Sequence, residues 1–125
     1  MKNAINWFEI PVINYERAKH FYTTVIGSEI KDHHMPEQNI KYGMFTYDND
    51  ADGVGGGLIE GEGQKPTSDG PTIYLNGGDN LTIPLSKVEE AGGKIVMQKT
   101  NIGENGFMAQ FIDTEGNRIA LHSWN

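Results

Sequence analysis

Three side chains in this sequence are candidates for chemistry: Glu9, Tyr74 and His122. A carboxylate and an imidazole can exchange protons with a bound molecule, and a phenol can donate a hydrogen bond to one. Glu9 lies in the alternating run Trp7-Phe8-Glu9-Ile10-Pro11-Val12, on the face opposite Phe8 and Ile10. His122 follows Leu121, and Tyr74 sits in Thr72-Ile73-Tyr74-Leu75. The bland reading of Glu9 and His122 is a solvated carboxylate and an exposed histidine. The sharper reading makes Glu9 an anion that pairs with a ligand, and His122 a proton donor or acceptor near Tyr74. Together the two offer at most an incomplete metal pair. Other groupings carry less. His33 and His34 are adjacent, so on a strand they point to opposite faces and read as a surface pair. Asp48, Asp50 and Asp52 before Gly53 imitate a calcium loop. The position of that loop's bidentate glutamate is Ile59, no helices flank it, and it reads as a solvated loop. Gly55-Gly56-Gly57 lacks the Lys-Ser/Thr ending and the helix of a phosphate loop. No Ser-His-Asp arrangement can be argued from order alone. With no cysteine present, disulfides, thiolate metal sites and a cysteine nucleophile are excluded.

The elements that must position these residues come in two similar sets. Residues 7–12 alternate as a strand with Phe8, Ile10 and Val12 on one face. Asn14 can cap a helix whose stripe is Ala18, Phe21, Tyr22 and Val25, and Gly27 stops it. Strands are expected at 28–34 and 40–47 around the turn Pro36-Glu37-Gln38-Asn39, and after an acidic loop at about 54–60. The order then repeats. Thr72–Leu75 is a short strand. Asp79 or Asn80 can cap a helix carrying Leu81, Leu85, Val88 and Ala91, with Pro84 tolerable only in its first turn. Lys94–Met97, Phe107–Ile112 and Arg118–His122 read as strands, the last two around the turn Asp113-Thr114-Glu115-Gly116-Asn117. The reading is one α+β domain over 1–125, with a first module at about 4–62, a linker at about 63–70 and a second module at about 71–125. Each module's helix covers one face of its sheet, and the other face must meet the second module, a second subunit or a ligand.

Composition limits the partners. The chain has 125 residues, 37% apolar and 22% charged, enough for one core. Its formal net charge is −7 and its ten Lys and Arg are scattered, which argues against nucleic acid. The start lacks the apolar stretch of a signal peptide, and no run is long enough to span a membrane. A cytoplasmic protein is expected.

Several of these runs together resemble a known family. Trp7 to Val12, Glu16-Arg17-Ala18, Phe21-Tyr22, Val25-Ile26-Gly27, Gly55-Gly56-Gly57-Leu58, Glu89 to Gly93 and Asp113 to Leu121 resemble the vicinal-oxygen-chelate superfamily, which includes glyoxalases, bleomycin-resistance proteins and dioxygenases. The resemblance implies two βαβββ modules whose curved mixed sheet contains a cleft. In the family's enzymes His, Glu or Gln from the first and last strands of each module hold a divalent metal there, while other members bind a drug without metal. Carried over, the four ligand positions fall on Trp7, Gly57, Thr72 and Ala120. None of these is an imidazole or carboxylate donor. A shift of two residues keeps the facing and brings Glu9 and His122 to ligand positions. The reading adopted is therefore a cofactor-free protein that binds a small, planar or cationic molecule with Trp7, Glu9, Gly57, Ile59, Thr72, Tyr74 and His122, and that pairs as a homodimer. Gly55 and Ala120 share the expected facing. The alternative is a metal-dependent lyase, isomerase or dioxygenase with shifted ligands.

Overall fold

The computed structural model describes residues 2–125. Local chemistry sets the first module. Strand β1 (Trp7–Pro11) leads into helix α1 (Tyr15–Ile26). Asn14 takes extended backbone angles, and its side chain accepts from the Arg17 N–H at 3.1 Å, satisfying one orphan donor of the first turn. Gly27 ends the helix at φ 77°, a left-handed conformation that costs glycine little, and its N–H reaches the Thr23 carbonyl at 2.9 Å. Strands β2 (Ile30–Asp32), β3 (Lys41–Phe45) and β4 (Gly55–Glu60) complete the module.

The second module has β5 (Ile73–Asn76), α2 (Thr82–Leu85), β6 (Lys94–Asn101), β7 (Phe107–Ile112) and β8 (Arg118–Ser123). The sheets have matching orders, β1-β4-β3-β2 and β5-β8-β7-β6. In each, the first and last strands of the module run parallel and the other pairs antiparallel. The two sheets are hydrogen-bonded separately. No helix among the described residues is long and apolar enough to cross a membrane.

Four elements depart most from expectation, the first being β2, which keeps only Ile30–Asp32 of the expected 28–34. β6 runs to Asn101 rather than Met97, because its register shifts between Ile95 and Met97 and again between Met97 and Thr100. Such irregularities break the two-residue period by which a strand is recognised. β5 begins at Ile73, so Thr72 precedes it. α2 is one helical turn instead of a helix to Ala91. Pro84 is its third residue, where no N–H is owed to the ladder, and turns with mixed bonding follow to Gly93. The predicted stripe still points inward: Leu81, Leu85 and Val88 are buried.

The core spans both modules. α1 buries Tyr15, Ala18, Phe21, Tyr22 and Val25. Phe21 packs on Phe111 of β7, and Tyr22 lies edge-on to Phe45 of β3 and near Phe111. Ile10 and Leu58 of one sheet join Leu75, Ile119 and Leu121 of the other in the same cluster. Each side chain of this size that leaves water adds about 1.5–3 kcal/mol.

The turn Asp113–Asn117 ties the modules further. The buried Glu115 carboxylate accepts from the amides of Ile13 and Asn14 at 2.9 and 2.8 Å, and from the Arg17 guanidinium at 2.7 and 3.0 Å. The Tyr22 hydroxyl donates to Asp113, and Asn117 donates to the Pro11 carbonyl at 2.7 Å. Phe8 and Gly55 also line a small cavity with Leu75 and Asn76. Residues of the edge strands β1 and β5 thus line one cavity at the seam between the sheets.

Candidate functional site

With Ile10 and Leu58 in the core, register places Trp7, Glu9, Gly55, Gly57 and Ile59 on the opposite, open face of the first sheet. Tyr42 on β3 is paired with Ile59 and shares that face. Its ring lies over Gly57, where a Cβ would come within 2.6 Å of the ring carbons. Tyr47 likewise lies over Gly55, and any side chain there would overlap its ring. The glycines leave space, and two tyrosines fill it. Ile59 is buried beside them.

Tyr42 links the two candidate residues of β1. The Trp7 indole N–H donates to the Tyr42 oxygen at 2.7 Å, and the Tyr42 hydroxyl donates to Glu9 Oε2 at 2.8 Å. Tyr42 is only 7% exposed, while Glu9 is exposed. Burial pushes the Tyr42 hydroxyl up to about 12; the bond from Trp7 opposes the rise and Glu9 adds to it. At neutral pH the phenol therefore keeps its proton. Trp7 also meets Tyr47 edge-to-face at 5.7 Å.

The second module presents a different group. Ile73, Leu75, Ile119 and Leu121 face the core side, so Tyr74, Ala120 and His122 share the other face of the sheet. Tyr74 and His122 line an open groove of about 560 Å³ with Asn76, Asp79, Ser123 and Trp124. They do not hydrogen-bond to each other. The Tyr74 hydroxyl is 3.9 Å from the Met108 sulfur. His122 Nε2 is 2.6 Å from the Asn105 carbonyl, which only an N–H can satisfy, and Trp124 lies edge-on to its ring. Thr72 accepts from Arg118 Nη2 at 2.9 Å. Ala120 is fully buried. Glu9 and His122 are thus committed to different neighbours.

A metal finds no cradle at the four positions the resemblance marks. Trp7 gives its indole proton to Tyr42, Gly57 is covered by that ring, Thr72 holds Arg118, and Ala120 has no donor. One group of three candidate ligands occurs among the described residues, Glu16, Asp32 and His34, away from these positions. There Lys19 and the Tyr15 hydroxyl already bind Asp32, and the Tyr15 bond, then the Lys19 bond, hold its carboxyl below the usual range. His34 has a structural part: its Nδ1 accepts from the Tyr42 amide at 2.9 Å, extending the β2–β3 pairing. In the acidic loop, Asp48 caps the turn by accepting from the Ala51 amide, and Asp52 pairs with Lys2.

Tyr42, Tyr47 and Trp124 were not singled out from sequence, and Asp79 was read there only as a helix-cap candidate. Tyr42 had a signal: alternation in 40–47 puts it opposite Phe45, and a glycine in a neighbouring strand invites an aromatic cover.

A family model described as the Glyoxalase/Bleomycin resistance protein/Dioxygenase superfamily matches residues 4–121. No curated protein matches the chain in sequence. Among solved structures, glyoxalase I from Zea mays superposes with a TM-score of 0.74 at 20% identity, covering 98% of this chain and 48% of that one. The chain thus spans about half the length of the maize enzyme. A glyoxalase/bleomycin resistance protein from Streptomyces sp. CB03234 gives 0.70 at 21% identity, covering 95% and 100%. The fosfomycin resistance protein FosX from Listeria monocytogenes gives 0.66 at 11% identity, covering 98% and 92%. At these identities the likeness is one of fold.

Proposed function

Since the chain belongs to the glyoxalase/bleomycin resistance protein/dioxygenase superfamily, we propose that it is a metal-free member that binds a small, planar or cationic molecule on its open sheet faces. The observation that carries this reading is the ring of Tyr42 over Gly57. It takes up the space that a donor side chain would need, and it engages Trp7 and Glu9 with its own hydroxyl. Aromatic rings beside a carboxylate suit a flat or positively charged ligand. The groove beside Tyr74, His122 and Trp124 is of a size that holds small molecules. We propose further that two copies pair, since β6 is an edge strand bearing exposed Val96, Met97 and nearby Ile102.

The rival is a metal-dependent enzyme with Glu9 and His122 as ligands. Elemental analysis of protein purified without chelators separates the two. The metal-free reading expects under about 0.1 equivalent of zinc, nickel, manganese or iron, and no rise in melting temperature when these are added. A full equivalent that Glu9→Ala or His122→Ala abolishes would establish the rival instead.

A further inference from the structure

The metal-free reading leaves open which molecules the first module selects, and the hydrogen-bond polarity around Tyr42 narrows the choice. Resting on that reading, we infer that Glu9 is the anionic anchor for a ligand whose cationic head carries N–H donors, such as a primary ammonium, amidinium or guanidinium, and that Tyr42 is the residue that positions it.

The direction of the chain is forced. An indole N–H can only donate, so the Tyr42 oxygen must accept from Trp7. The single phenolic proton is then committed to Glu9 Oε2. That oxygen is an acceptor, and Glu9 offers its remaining lone pairs outward from an exposed position. The phenol cannot slide away, because its ring is buried over Gly57. The carboxylate is thus held from beneath before any ligand arrives, which lowers the ordering cost of binding.

Glu9 also lacks an internal counter-charge. Glu115 has Arg17 and Asp32 has Lys19, but among the described residues no Lys, Arg or His side-chain nitrogen lies within 4.0 Å of a Glu9 carboxylate oxygen. A ligand can supply that charge. A quaternary ammonium could stack on the Trp7 ring but has no proton for the carboxylate. An N–H cation can do both, and charge-assisted bonds are the stronger kind. Anionic ligands meet Glu9 itself and a chain of net charge −7.

The test uses the full ¹⁵N-labelled chain and follows the Trp7 indole resonance, identified as the indole signal that survives in Trp124→Phe. The native chain is titrated with benzamidinium, phenyltrimethylammonium and benzoate. Benzamidinium should shift the signal saturably, phenyltrimethylammonium should bind at least tenfold more weakly, and benzoate should leave it in place. Glu9→Gln should weaken benzamidinium at least tenfold. Tyr42→Phe should weaken it about threefold or more while Glu9 is unchanged. Glu9 is exposed, so Glu9→Gln remains informative if Tyr42→Phe does not fold. Equal binding of the quaternary cation, no response to benzamidinium, or indifference to Glu9→Gln would each overturn the inference. A different ligand that binds the metal-free chain independently of Glu9 would sink it and leave the broader reading standing. Stoichiometric metal would remove the broader reading itself.

Discussion

Gly57 and Tyr42 are two halves of one feature. A Cβ at 57 would press on the Tyr42 ring at 2.6 Å, with the Trp7 and Glu9 hydrogen bonds holding the phenol in place. Gly57→Ala should therefore destabilise by about 1–3 kcal/mol, the usual cost of overpacking. Tyr42→Ala should cost about 3–5 kcal/mol as a large-to-small change. The two share one space, so the double variant should be more stable than the sum of the single losses by about 1 kcal/mol or more, read by urea unfolding. Strict additivity would mean that the ring does not rest on Gly57. The facing of Trp7, Glu9, Gly57 and Tyr74 was legible in sequence, because alternation with buried Ile10, Leu58 and Leu75 assigns it. Which side chain of another strand lies over Gly57 was not, because only the β3–β4 register brings Tyr42 there.

At the scale of elements, the Asp113–Asn117 turn and the N-terminal end of α1 depend on each other. Burial alone would raise the Glu115 carboxyl, but the Arg17 guanidinium, the Asn14 and Ile13 amides and the Thr114 hydroxyl outweigh it, and the carboxyl lies below its ordinary value. A depressed carboxyl stabilises the folded chain fully above the unfolded glutamate value of about 4.3. That contribution is lost as pH falls from there through the lower folded value. Glu115→Gln keeps the shape but removes the charge. It should cost about 1–3 kcal/mol at pH 7, since buried amides lose part of their acceptor. The variant should also show a shallower loss of stability between pH 5 and 3 than the native chain, measured by urea unfolding across that range. Parallel curves would show that Glu115 is not the titrating clamp. In the sequence this turn was visible only as a turn. Its hold on α1 joins residues about a hundred positions apart, which no local pattern encodes. α1 itself was fully readable from Asn14, its stripe and Gly27, because caps and periodicity are local. β6 and α2 were misjudged in length, because bulges and Pro84 interrupt the same kinds of pattern.

For the whole molecule, the repeated order of strands and helix was legible because each module carries its own turns and alternation. How the modules share one core was not, since Phe21 and Tyr22 reach Phe111 across the seam. The same core leaves β6 at an outer edge. Val96 and Met97 are 48% and 39% exposed there, and an unpaired apolar edge invites a second strand. A standard interface buries roughly 800 Å² on each partner. That is about a tenth of the 7588 Å² surface of the chain, an area that a second copy can cover. Light scattering on a sizing column should therefore give about twice the chain mass of 13.9 kDa at micromolar concentration. Met97→Glu should halve that mass while the melting temperature of the diluted chain stays within a few degrees of native. A native chain that elutes at its monomer mass would refute pairing. A Met97→Glu chain that stays dimeric would move the contact away from β6.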